Sequence, residues 1–141
     1  MTMKYVTNEE VSSGLIQIIR QINVDKWQPS NILGMSRGGI PLAVMLSHYF
    51  DVPMKVHNKG ENLWLYYGEN TLVIDDINDT GAQLSELTKV FSEDEKHWFR
   101  IATLFNNQGS HFNGVHYSGI MIDKREDNSW IVFPWEHWWN A

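Results

Sequence analysis

Residues 71–84, TLVIDDINDTGAQL, place three carboxylates and a threonine-glycine pair within one strand-to-helix passage. A β-branched apolar run leads into Asp75 and Asp76, and Asp79-Thr80-Gly81 then opens a segment with helical spacing. Gly81 permits close backbone approach, while a helix that starts there presents free N–H groups and the positive end of its dipole. Such a turn suits a terminal phosphomonoester, held by the Thr80 hydroxyl and neighbouring amides without a lysine. The same residues also make an ordinary helix N-cap. Adjacent carboxylates at a strand end alternate sides, so one of Asp75 and Asp76 is expected to face a ligand crevice. There it can accept hydrogen bonds from a ribose diol or hold Mg²⁺, directly or through water. Phosphate on the amides and sugar hydroxyls on the acids account for both chemistries in one turn. A pocket for a divalent metal alone is the competing reading, and it favours an acidic cluster from several strand ends plus a later lysine.

A second turn has similar chemistry. Ser36-Arg37-Gly38-Gly39 follows the apolar stretch NILGMS, and its glycines let backbone amides converge on an anion beside the Arg37 charge. Alone, a Gly-Gly turn is equally a tight strand-to-helix connection. Two anion-suited turns with an acid pair between them carry more than either does separately.

The surrounding elements must bring these turns together. Thr7 and Glu10 have capping-box spacing, and Val11, Leu15, Ile18, Ile19 and Ile22 form one apolar face, which predicts a helix over TNEEVSSGLIQIIRQI. Gly14 weakens that helix. A second helix follows Gly39, with Pro41 in its first turn and Leu42, Met45, Leu46 and Tyr49 at helical spacing. A third covers GAQLSELTKVF, with Leu84, Leu87, Val90 and Phe91 on one face. Strands are expected at 31–36, 52–57, 63–67 (LWLYY), 71–75, 99–105 and 117–122, with Lys59-Gly60 turning between the second and third. Alternation of strand and helix predicts an α/β sheet with parallel strands, in which ligands lie beyond the carboxyl ends of the strands. Both turns fall there.

The 141 residues, without an internal repeat or low-complexity linker, read as one domain over 1–141. A formal net charge of -6 argues against a general nucleic-acid polymer partner, and no apolar run reaches membrane-spanning length. The N-terminal stretch has no apolar signal core and the chain has no cysteine, so a cytoplasmic location is expected. His97, His111, His116 and His137 share no short ligand spacing. Four tryptophans (130, 135, 138 and 139) crowd the C-terminus. Without basic residues between them they suit core packing and a base pocket better than a nucleic-acid platform. The run SEDEK (92–96) reads as a solvated loop or helix end.

TLVIDDINDTGAQL resembles the binding signature for 5-phosphoribosyl 1-pyrophosphate (PRPP) of the type I phosphoribosyltransferases, and ILGMSRGGIPLAVMLS resembles their pyrophosphate loop and following helix. Within the family the SRGG turn and the terminal WIVFPWE are similar to the bacterial xanthine-guanine branch, and the likeness runs from about Met3 to Glu136. The resemblance implies an α/β fold with a central, mainly parallel sheet flanked by helices and a small C-terminal hood segment. It also implies transfer of the phosphoribosyl group of PRPP to a nucleobase of purine type, with pyrophosphate released and Mg²⁺ as cofactor. Carried over, Asp79, Thr80, Gly81, Ala82 and Gln83 hold the 5′-phosphate, and Asp79 is the general base. Asp75 and Asp76 bind the ribose, and Ser36, Arg37, Gly38 and Gly39 bind pyrophosphate across a cis peptide at the first two. Asn107, Trp130 and Ile131 meet the base, Trp130 by stacking and Ile131 through its backbone. Asp76 and Glu136 lie at the metal, and a homo-oligomer is implied. The alternative in the same fold is a non-catalytic regulatory protein that binds PRPP or a nucleotide.

Several positions depart from the family pattern. Asn107, in FNNQG, stands where the purine enzymes carry a lysine, and Gln83 replaces a hydroxyl residue. Glu136 replaces an aspartate. Residues 57–70 leave little chain for the mobile loop that closes over the family's site, which points to reduced or lost turnover.

Overall fold

The computed structural model describes residues 2–61, 70–89, 91 and 94–140. The expected strand LWLYY and Val90 lie outside the described residues. In chain order the elements are β1 (Met3–Tyr5), α1 (Asn8–Val24), β2 (Asn31–Met35), α2 (Gly39–Phe50), β3 (Met54–His57), β4 (Thr71–Asn78), α3 (Ala82–Lys89), β5 (Phe99–Asn107), β6 (Tyr117–Ile122), β7 (Trp130–Val132) and α4 (Pro134–His137).

The helix starts follow from local chemistry. Thr7 caps α1 reciprocally: the Glu10 backbone N–H donates to Thr7 Oγ1 (3.1 Å), and the Thr7 N–H donates to Glu10 Oε1 (3.2 Å). Val11, Leu15, Ile18 and Ile22 are buried as the periodicity predicts. Gly14 has a packing reason, since a Cβ there would lie 2.5 Å from Leu104 Cδ1 on the sheet. In α2 the predicted face divides: Leu42 and Leu46 are fully buried, whereas Met45 and Tyr49 turn outward, 41% and 57% exposed. Ala43 takes the inward place beside Leu42 and Leu46, and with Gly39 these residues line the core at alternating three- and four-residue spacings.

Five strands pair in the order β3-β2-β4-β5-β6, each neighbour parallel to the next. Apolar side chains fill both faces, which makes the strands near-continuous hydrophobic runs. One cluster, including Leu15, Ile18, Leu42, Ile74 and Phe105, lies under α1 and α2. The other, including Leu33, Val73, Leu84, Leu87 and Ile101, lies under α3. The chain leaves β2 towards β3 on one side and pairs β2 with β4 on the other, so the order reverses between β2 and β4. That reversal opens a crevice at the strand ends.

Two features correct the expected outline. β4 continues to Asn78, three residues past the predicted end, so Asp75 and Asp76 sit inside the strand and the turn begins at Asp79. The cap at the strand ends is built from both ends of the chain: β1 pairs parallel with β7, Met3 opposite Trp130 and Tyr5 opposite Val132. Three-residue strands carry too little pattern to be read from periodicity. Phe133 and Trp135 stack at 5.0 Å between ring centres and join this unit to the core through Phe105.

Candidate functional site

The two predicted turns meet at the reversal point. After β2 the Ser36–Arg37 peptide is cis, the Ser36 N–H donates to the His57 carbonyl (2.8 Å), and Arg37 is exposed. Gly38 and Gly39 then press against β4. A Cβ on Gly38 would lie 1.9 Å from Asp76 Oδ2, and one on Gly39 would lie 2.3 Å from the Ile74 carbonyl oxygen. Contact with β4, besides any anion, requires glycine here.

The acid pair divides as strand geometry dictates. Asp75 is 5% exposed, whereas Asp76 is half-buried and faces Gly38. The Asp76 N–H donates to Asp75 Oδ1 at 2.8 Å. Burial, followed by the neighbouring Asp76 charge, pushes the Asp75 carboxyl well above its ordinary value. Burial also raises Asp76, and the Glu136 carboxylate adds to that rise. Glu136 therefore lies within electrostatic reach of Asp76, while its Oε1 accepts the Phe133 N–H (3.0 Å) at the start of α4.

The predicted phosphate turn is a cradle. Residues 76–84 line a cavity of about 160 Å³. Gly81 has φ of 92°, a left-handed conformation that side chains disfavour, and a Cβ there would strike Phe112 and Ser110 at 2.6 Å. Thr80 Oγ1 accepts the Ala82 N–H at 3.3 Å. Gln83 is exposed in the first turn of α3, whose leading N–H groups have no intrahelical acceptor.

A brace that the sequence reading missed supports the cradle. The link from β5 to β6 has no helix, and residues 108–116 cross back over the α3 side of the sheet. On the way the His111 N–H donates to the Thr80 carbonyl (3.0 Å), and Ser110 Oγ donates to Asn78 Oδ1 (2.9 Å). Asn78 Nδ2 donates in turn to Asn106 Oδ1 and to the Phe112 carbonyl. The signal available in the sequence was the polar run Asn106, Asn107, Ser110 at a strand end.

Asn107 was expected at the base, and its placement redirects that assignment. Its Nδ2 donates to the Asp79 carbonyl (2.8 Å), and its Oδ1 accepts the N–H groups of Gly109 (3.2 Å) and Lys124 (3.0 Å). At 8% exposure, with both ends of the amide engaged by the chain, it is a brace for the Asp79 turn. Lys124, which no motif marks, instead enters the site from the end of β6. Its Nζ bonds Asp79 Oδ2 at 3.0 Å and lies 5.4 Å from the Trp130 ring centre. Trp130 is half exposed and anchored by its N–H to the Thr2 carbonyl (2.8 Å), and Ile131 beside it is buried. Its place just past a strand's carboxyl end was the one clue to Lys124. Among the described residues no group of three or more histidines, cysteines or acids is arranged to hold a metal ion.

No protein-family model matches the sequence, and no curated protein matches it. Solved structures do. The purine phosphoribosyltransferase of Pyrococcus horikoshii is 25% identical with a TM-score of 0.72, the match covering 96% of this chain and 95% of that one. The xanthine-guanine-hypoxanthine phosphoribosyltransferase of Helicobacter pylori is 22% identical with a TM-score of 0.73, covering 98% and 96%. A Neisseria gonorrhoeae protein with bound ppGpp is 20% identical with a TM-score of 0.72, covering 96% and 90%. The fold is thus that of the type I phosphoribosyltransferases over nearly the whole chain. Within that class, the resemblance is to the purine and xanthine-guanine branch.

Proposed function

We propose that the protein is a phosphoribosyltransferase that moves the 5-phosphoribosyl group of PRPP to a nucleobase of purine type and releases pyrophosphate. The observation that carries this reading is the pairing of the Asp79–Gln83 cradle with the Ser36–Gly39 loop across Asp76. One phosphate-suited turn at each side of a ribose-suited acid pair matches a sugar with phosphates at both ends. The purine phosphoribosyltransferase of Pyrococcus horikoshii supports the substrate class.

In this reading Thr80, Gly81, Ala82 and Gln83 bind the 5′-phosphate, Asp75 and Asp76 take the ribose hydroxyls, and Ser36 to Gly39 hold the pyrophosphate. The bond from ribose C1′ to the pyrophosphate oxygen breaks, with the electron pair leaving on oxygen. A base nitrogen bonds to C1′, and the ring proton it displaces passes to Asp79. The carboxylates beneath the sugar favour positive charge developing on the ring. Two acids, Asp76 and Glu136, fit Mg²⁺ supplemented by ligand oxygens and water, and the ion would offset charge on the leaving pyrophosphate. A base stacks on Trp130 against Ile131.

The test is calorimetric titration with Mg²⁺-PRPP, then pyrophosphate release with guanine, xanthine, hypoxanthine, adenine and uracil. Release with at least one purine is expected, and Asp79→Asn lowers its rate by about 10²–10⁴. No binding of Mg²⁺-PRPP overturns the reading.

A second reading, a regulatory protein that binds PRPP or a nucleotide without turnover, is favoured by one contact. The Lys124 ammonium holds the same Asp79 carboxylate that the first reading uses as base. The gonococcal neighbour with bound ppGpp supports a guanine nucleotide as ligand. Binding without pyrophosphate release from any of the five bases selects this reading. In either case a homo-oligomer is proposed, to be measured by light scattering.

A further inference from the structure

Thr103 lies at the centre of β5 and is fully buried, yet its Oγ1 has no hydrogen-bond partner among the described residues. Folded proteins pair nearly all such groups, because an unmet buried hydroxyl forfeits its bonds to water. A valine of the same shape would fill the space without that penalty.

The surroundings leave this hydroxyl few partners. Register sets Thr103 beside Asp75 of β4 on one side and Ser118 of β6 on the other. Residues two apart on a strand share a face, so Asp75 and Thr103 continue the rows of Val73 and Ile101 in the apolar layer under α3. Ser118 is engaged elsewhere: its Oγ accepts from Asn106 Nδ2 at 2.9 Å, and its N–H donates to Gln21 Oε1 at 3.1 Å. Asp75, 5% exposed, receives the Asp76 N–H on Oδ1. A carboxylate has sites for about four donors, so Asp75 can take another. Neighbouring strands lie about 4.8 Å apart, a gap that a hydroxyl and a carboxylate bridge by rotating their side chains.

We propose that Thr103 is a positioning residue for ribose recognition. When sugar hydroxyls draw the Asp75 carboxylate towards the ligand, Thr103 Oγ1 donates to it from the sheet and fixes its orientation. The hydroxyl is unmet in the free protein and satisfied in the liganded one. This inference rests on the reading of Asp75 as a ribose contact and adds to it a residue outside both turns.

The experiment is titration of wild type, Thr103→Val and Thr103→Ser with ribose 5-phosphate and with methyl phosphate, followed by NMR. Thr103→Val is expected to weaken ribose 5-phosphate by roughly tenfold. Methyl phosphate, which lacks the sugar, binds all three proteins alike. Thr103→Ser, which keeps the hydroxyl, restores most of the ribose 5-phosphate affinity. Thr103→Ala also lacks the hydroxyl and repeats the test without the second methyl. In an Asp75→Asn background Thr103→Val has no further effect, because the two residues act as one unit. Unchanged ribose 5-phosphate affinity in Thr103→Val overturns the proposal. Equal weakening of both ligands does so too, since it marks a purely structural role, as does a full Thr103→Val effect in the Asp75→Asn background. If wild type binds methyl phosphate no less tightly than ribose 5-phosphate, the ribose reading of Asp75 fails first and this inference with it.

Discussion

Gly38 and Asp76 meet closely: the missing Cβ of Gly38 would lie 1.9 Å from Asp76 Oδ2, although Gly38 follows β2 and Asp76 lies within β4. The Ser36–Gly39 loop and the Asp76 carboxylate are therefore packed directly against one another, with no room for a side chain at Gly38. Gly38 has φ of -64°, so the requirement for glycine at this position is steric and not conformational. Gly38→Ala is expected to push Asp76 out of place and cost about 1–3 kcal/mol of stability. Thermal unfolding measures the cost. Titration with PRPP, with and without Mg²⁺, should show the metal-dependent part of the affinity lost while ribose 5-phosphate still binds.

Asp75 makes stability depend on pH with a definite sign. Its carboxyl is raised in the folded protein, by burial first and by the Asp76 charge second, from an ordinary value of 3.8. The folded state then holds a proton that the unfolded chain has released, so this contribution is full below 3.8 and is lost as pH rises through the folded value. Asp75→Asn keeps an acceptor for the Asp76 N–H and removes the buried charge. The variant is expected to have a higher Tm than wild type at neutral pH, a flatter Tm-against-pH curve above pH 3.8, and weaker ribose binding. A Tm at or below wild type across that range would contradict the burial argument.

Thr80 acts through its hydroxyl, which accepts the Ala82 N–H and stands at the mouth of the cradle. Thr80→Val preserves shape and removes the hydroxyl. Affinity for ribose 5-phosphate should fall by a factor that corresponds to about 1 kcal/mol, read by calorimetry. Unchanged affinity would take Thr80 out of the phosphate contacts.

Asn107 discriminates between a brace and a base contact. Asn107→Asp retains the acceptor for the Gly109 and Lys124 N–H groups but removes the donor to the Asp79 carbonyl. A brace predicts a loss of about 1–3 kcal/mol in stability and weaker binding of every 5′-phosphorylated ligand, whatever its base. Base selectivity that changes while ribose 5-phosphate affinity stays constant would return Asn107 to the base.

The predicted elements show where legibility ended. α1, α2, α3 and the described sheet strands were readable because long apolar periodicities and a capping box are local signals. The cradle was readable for the same reason: Asp79, Thr80, Gly81, Ala82 and Gln83 are consecutive, and a helix N-terminus is made by its own residues. β1 and β7 were not readable, because each exists only as the partner of the other across more than a hundred residues.

By itself, then, the sequence determined the α/β alternation, the two turns and the acid pair, all of which arise within a dozen residues. Tertiary structure alone decided that Gly38 abuts Asp76, that the 108–116 crossing braces the Thr80–Gly81 turn, and that Lys124 meets the Asp79 carboxylate and the Trp130 ring while Asn107 holds the Asp79 carbonyl. The reason is physical. Hydrogen-bonding patterns along one segment are set by near neighbours, whereas the partner of a charged side chain is set by strand order and register, and these emerge only when the sheet is assembled.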